Sequence, residues 1–128
     1  MEQSKILLYN LKSAKGSKIE KLCKRLSIEV KHVVEEEYLN SIGNLAGTLE
    51  KKEDNQLNGR TEEAFQDEMF IMVNFTDSLL DQFLKEYRKT HIDSVSLRAI
   101  MTPNNQVWNS YELYHELCRE RDAMKAFE

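Results

Sequence analysis

At 128 residues, 41% hydrophobic and 31% charged with a formal charge of −4, the chain has the make-up of a single soluble globular domain spanning residues 1–128. The acidic balance argues against nucleic acid, whose partners carry a basic footprint, and no window approaches the roughly 20 apolar residues of a membrane span. Met1-Glu2-Gln3-Ser4-Lys5 has no secretory pattern, so a cytoplasmic location is expected, with Cys23 and Cys118 as reduced thiols in helices.

In chain order, Lys5-Ile6-Leu7-Leu8-Tyr9-Asn10-Leu11 has consecutive apolar residues and reads as a central strand buried on both faces. Ser17-Lys18-Ile19-Glu20 fits a capping box. The helix it opens carries Ile19, Leu22, Cys23 and Leu26 on one stripe and stops at Ser27. Ile28, Val30, His32 and Val34 then alternate with Glu29, Lys31 and Val33, as in a strand near an edge. Residues 1–31 hold eight Lys/Arg against three acids, an excess of +5 that leaves −9 for the rest; a lysine-rich solvated helix face accounts for it.

Glu35-Glu36-Glu37 begins a short helix, since carboxylates suit a helix N-terminus. Tyr38, Leu39, Ile42 and Leu45 form its apolar side, and Gly43 and Gly47 limit it. Residues 48–68 are polar and aperiodic and are expected to form a mobile acidic loop. Met69-Phe70-Ile71-Met72-Val73 is a second two-sided strand. Thr76 caps a helix bearing Leu79, Leu80, Phe83, Leu84 and Tyr87, with Phe75 placed as a hydrophobic staple on Leu80. Val95 to Met101 alternates as an edge strand. Thr102-Pro103-Asn104-Asn105 is a turn, and Asn109-x-x-Glu112 is a capping box with Trp108 stapled to Leu113.

The order is β-α-β-α-β-α-β-α. Two sheets satisfy it: a four-stranded, mostly parallel α/β sheet in the order 2-1-3-4, or a ferredoxin-like α+β split β-α-β sheet with an extra C-terminal helix. Both centre the first and third strands. The parallel form is preferred because a helical segment follows every strand.

Asp67-Glu68-Met69, Phe75-Thr76-Asp77, Leu80-Asp81-x-Phe83-Leu84, Thr102-Pro103-x-Asn105-x-x-Trp108 and Tyr111-Glu112-Leu113 resemble an uncharacterised bacterial domain-of-unknown-function family, number 3783 in its series. The resemblance is best over residues 67–120 and extends to Ile42-Gly43-x-Leu45-Ala46-Gly47. The family has no established activity. The resemblance implies a small cytoplasmic bacterial protein from anaerobic Gram-positive lineages.

Two loops are candidate sites. Lys12-Ser13-Ala14-Lys15-Gly16-Ser17-Lys18 follows a central strand, opens a helix and offers Lys15 and Lys18 to a phosphate, although it lacks the Gly-Lys-Ser/Thr order of a P-loop. In a parallel sheet, Thr102-Pro103-Asn104-Asn105 with Trp108 would lie at the carboxyl edge beside Asn10 and Asn74. Their amides both donate and accept, as reading a polar ligand requires. His115-x-x-Cys118 gives two potential ligands where a metal wants three or four. No nucleophile or acid/base motif is present. The expectation is a non-catalytic binding or protein-interaction module without cofactor or metal, its partner a protein or small molecule, itself a monomer or homodimer. The alternative is a small enzyme or sensor that binds a phosphate-bearing molecule at the Lys12–Lys18 loop.

Overall fold

Four strands form one open sheet in the order β2-β1-β3-β4. The structure is a computed structural model describing residues 3–50 and 63–125. Its elements are β1 (Lys5–Tyr9), α1 (Ala14–Arg25), β2 (Glu29–His32), a 3-10 turn (Glu35–Glu37), α2 (Ile42–Ala46), β3 (Met69–Val73), α3 (Asp77–Lys89), β4 (Leu97–Ile100), a 3-10 turn (Asn105–Val107) and α4 (Ser110–Lys125). The chain divides into two compact units. The first runs to His32 and resumes over Asp67–Ile100; the second comprises Val33–Gln66 and the chain from Met101 onward.

The first unit holds the sheet. β1 pairs parallel with β2, and β3 parallel with β4, while the central β1–β3 pair is antiparallel. The α/β sheet with strand order 2-1-3-4 therefore stands, two of its three pairings parallel. The split β-α-β alternative does not, because each β-α-β unit keeps its two strands adjacent. β1 and β3 are inner strands, and Ile6 to Tyr9 and Met69 to Val73 are all buried, as their unbroken apolar runs require. Ile6, Leu8, Phe70 and Met72 share one face with Leu11, Ile19, Leu22, Cys23, Ile28, Phe83, Ile92 and Val95, so α1 and α3 cover that face. Burying each such side chain is worth roughly 1.5–3 kcal/mol.

Helix entry differs from the sequence reading in α1. The helix opens at Ala14, and Ser17 lies within its first turn, its N–H donating to Ser13 O at 3.0 Å. Gly16 explains this: a Cβ there would overlap the Leu11 carbonyl oxygen, so glycine lets the first turn close against the end of the strand. Glu20, expected to complete a box with Ser17, instead pairs with His32 Nε2 at 2.8 Å. In α3, Thr76 Oγ1 does accept the Leu79 N–H, at 3.1 Å. Phe75 sets its ring edge-on to Phe83, centroids 5.7 Å apart.

Both long helices of this unit end in a Schellman turn. After α1, Ile28 N–H donates to Cys23 O and Ser27 N–H to Lys24 O; after α3, Ile92 N–H donates to Tyr87 O and His91 N–H to Arg88 O. The left-handed residue is Ser27 (φ 59°) in one and His91 (φ 56°) in the other, positions where glycine is usual.

In the second unit, Ser41 Oγ accepts the Asn44 N–H at 3.0 Å to open α2, and Gly47 ends it in the left-handed region at φ 85°. α4 opens on the expected capping box. Asn109 Oδ1 accepts the Glu112 N–H at 2.9 Å, and Glu112 Oε1 accepts the Asn109 N–H at 2.8 Å. Of the expected loop 48–68, residues 51–62 lie outside the described residues. Its ends are ordered: Thr48 Oγ1 donates to Gly43 O at 3.2 Å, and Phe65 is buried.

Candidate functional site

The antiparallel β1–β3 pairing decides where the expected asparagines go. Asn10 ends β1 and Asn74 ends β3, so they lie at opposite ends of the strand pair and line no common cleft. Each takes a left-handed backbone (φ 59° and 58°), which asparagine tolerates better than most residues. Each also ties the end of its strand to the segment entering the other: Asn10 Nδ2 donates to Asp67 O at 2.9 Å, and Asn74 Nδ2 to Gln3 O at 3.3 Å.

The Lys12–Lys18 loop is largely occupied by its own structure. Lys15 Nζ sits 2.5 Å from Glu68 Oε1 and donates to Ser94 O at 3.0 Å, tying α1 to the approaches of β3 and β4. Lys12 and Lys18 are exposed. An anion at this loop would compete with Glu68 for Lys15.

The Thr102–Trp108 turn lies in the second unit. Asn105 is buried, and its Oδ1 accepts the Thr102 N–H at 2.8 Å while Thr102 Oγ1 accepts the Asn105 N–H at 3.1 Å. This reciprocal pair fixes the turn, and Trp108 N–H closes it on Asn105 O at 3.0 Å. What the turn presents to solvent is Thr102, Pro103 and Asn104, together with Val107 at 64% exposure. Trp108 is half-buried, and its carbonyl accepts the Ile42 N–H at 2.7 Å.

One constellation escaped the sequence reading. Phe65 stacks between Tyr38 (centroids 4.8 Å, planes at 20°) and Tyr114 (4.1 Å, 2°), and Tyr111 sets its edge against Tyr38 and Phe65. The available signal was a single aromatic in an otherwise polar stretch, the usual mark of an anchor.

Of the titratable groups, burial pushes the Cys23 thiol up to about 12, with the Glu20 carboxylate adding to the effect, so Cys23 is a core thiol rather than a nucleophile. Tyr87 is raised chiefly by burial, with Arg98 opposing and Glu68 and Asp93 reinforcing the rise; its hydroxyl donates to Asp93 O at 2.6 Å. Among the described residues no group of three or more His, Cys, Asp or Glu could hold a metal. No helix among them is long and apolar enough to cross a membrane.

The fold defines an α/β protein whose open mixed sheet is made of two adjacent β-α-β units joined through an antiparallel β1–β3 pair. Residues 68–124, from the threshold of β3 almost to the end of α4, match the model of a domain of unknown function, DUF3783. This is the family that the Thr-Pro-x-Asn-x-x-Trp stretch resembles. No curated protein and no solved structure matches the chain significantly.

Proposed function

We propose that the protein is a non-catalytic binding module that engages a protein partner through the exposed side of the Thr102–Trp108 turn. One observation carries this reading: the Thr102–Asn105 pair pins the turn's backbone while Val107, 64% exposed, stands with Thr102, Pro103 and Asn104 in water. A large apolar side chain held out on a rigid turn is suited to insertion into a partner's pocket, because little ordering entropy remains to be lost on binding. The candidate groups elsewhere already have structural roles: Asn10 and Asn74 tie strand ends to the neighbouring strand's entry, and Lys15 pairs with Glu68.

The test is a photo-crosslinking amino acid placed at Val107 and, as a control, at exposed Lys89, in cells that make the protein. A discrete protein adduct from position 107 alone is expected. It should be lost when Asn104→Ala and Pro103→Ser are added, with the melting temperature within about 2 °C of the parent, as for surface changes. Equal labelling from both positions, or none from 107, would remove the reading.

A further inference from the structure

The two β-α-β units correspond residue by residue from the first strand through the end of the helix. Lys5 and Met69 open β1 and β3, 64 positions apart. The same interval separates Asn10 from Asn74 and Ser27 from His91, the four non-glycine residues with positive φ among those described. It also separates their bonds: Asn10 to Asp67 O is matched by Asn74 to Gln3 O, and Ile28 to Cys23 O by Ile92 to Tyr87 O. At the entries to β2 and β4 the interval widens to 68, four residues being added after Ile92, and the bonds still match: Glu29 N–H donates to Ser4 O and Leu97 N–H to Glu68 O.

The strand register agrees with this equivalence. Ile6 faces Met72, Leu8 faces Phe70, and between them Leu7 faces Ile71. Leu7 and Ile71 are equivalent positions, so the β1–β3 pairing maps onto itself about a two-fold axis through that pair. A slip of one residue would move every side chain to the other face of its strand and leave no equivalent pair facing itself.

The second unit, taken by itself, shows the same relation. Its two 3-10 turns, Glu35–Glu37 and Asn105–Val107, are each followed by a helix capped by Ser41 or Asn109. Those two caps face each other in an antiparallel bridge. Around them the bonds are exchanged reciprocally: Ser110 N–H donates to Tyr38 O at 3.0 Å and Ile42 N–H to Trp108 O at 2.7 Å, Tyr38 and Trp108 each being the residue that ends its 3-10 turn.

We propose that the chain is a fused pair, two copies of one strand–helix–strand–turn–helix unit, the first over residues 3–46 and the second from residue 67 onward. The inner edge of each β-α-β unit is then a self-complementary surface, and the partner it fits is a second unit of its own kind. An isologous contact has this character: the same patch serves both sides. The family match over residues 68–124 spans one such unit. The inference is independent of any outside partner at the Thr102–Trp108 turn.

Two full-length variants test it. In the first, residues 67–75 are copied onto positions 3–11, so that β1 takes the sequence of β3. Its control copies them onto positions 4–12, one place out of register, which moves every side chain to the opposite face of the sheet. The in-register chain should unfold cooperatively, with a melting temperature at least about 10 °C above the control. Equal or reversed temperatures, or no folded in-register chain, would overturn the proposal. The second is a circular permutant opened between Gln56 and Leu57, with Glu128 joined to Met1 through Gly/Ser linkers of about 15 and about 30 residues. Exchanging the order of two equivalent units should keep the far-ultraviolet spectrum and hold the melting temperature within about 10 °C of the parent for at least one linker. Unfolded permutants at both lengths would overturn it.

Discussion

The β1-α1-β2 and β3-α3-β4 halves of the sheet reach one backbone by different side chains. α1 starts without a side-chain cap and relies on Gly16 to close against Leu11, whereas α3 is capped by Thr76 and entered through Phe75. At the helix stops, Ser27 and His91 hold the same left-handed position. In the core, Ile19 and Cys23 stand where the other half has Phe83 and Tyr87, so aromatic rings gather on one side only: Phe83 meets Phe70 at 6.0 Å, Tyr87 at 5.9 Å and Phe75 at 5.7 Å. The difference teaches that turn geometry and register are the shared element, while volume is divided unequally about it.

Substitutions at paired positions sharpen or break that comparison. The largest effect should come from the ring cluster. Phe83→Ala should cost about 3–5 kcal/mol in urea unfolding, and its counterpart Ile19→Ala about 2–4 kcal/mol, because fewer methylenes are lost. A larger loss at Ile19 would contradict the assigned imbalance in volume. Next, Gly16→Ala should cost about 1–3 kcal/mol by forcing α1 off Leu11, while Thr76→Ala should cost about 1 kcal/mol, the usual worth of a cap. Equal losses would mean that the two helix entries do not differ in kind.

Alkaline titration comes third. The folded state holds the Cys23 thiol up at about 12 against an ordinary value of 9.0. Between those limits the unfolded chain binds fewer protons than the folded one, so this contribution is complete below pH 9 and is lost as pH climbs towards 12. The parent should therefore lose stability more steeply than Cys23→Ala above pH 9, by up to about 1.4 kcal/mol per pH unit. Parallel curves in urea titrations at pH 8, 9.5 and 10.5 would refute it. The smallest effect is a gain: Ser27→Gly and His91→Gly should each stabilise by about 0.5–1 kcal/mol, since glycine takes the left-handed stop without strain. A loss at one position and a gain at the other would show that the two stops are not equivalent.

Much of this frame is legible in the residues. The unbroken runs at Ile6–Leu8 and Met69–Val73 announce inner strands, and Thr76, Asn109 and Glu112 announce their helix starts, because periodicity and capping are local. The antiparallel turn of β3 against β1 is not local: it depends on how residues 33–68 return the chain, and so the shared edge expected for Asn10 and Asn74 does not form. Gly16 reads as a loop glycine until the approach of Leu11 is seen. The repeat is hidden for another reason. Between residues 3–28 and 67–92 only Asn10/Asn74, Lys21/Lys85 and Ile28/Ile92 are identical. What is kept is a left-handed turn and a pairing register, neither of which has a fixed spelling. The candidate site was half legible: Thr102-Pro103-Asn104-Asn105 reads as a turn, but Asn105 holds its backbone and leaves display to Val107.

Trp108, the sole tryptophan, belongs to the second unit, and none lies in the sheet unit. The protein thus carries a built-in optical label: indole emission follows the turn-and-helix unit, while far-ultraviolet dichroism sums over both. Superimposable unfolding curves from the two signals would mark a single cooperative melt, and an offset between them would time the loss of one unit against the other without any added dye.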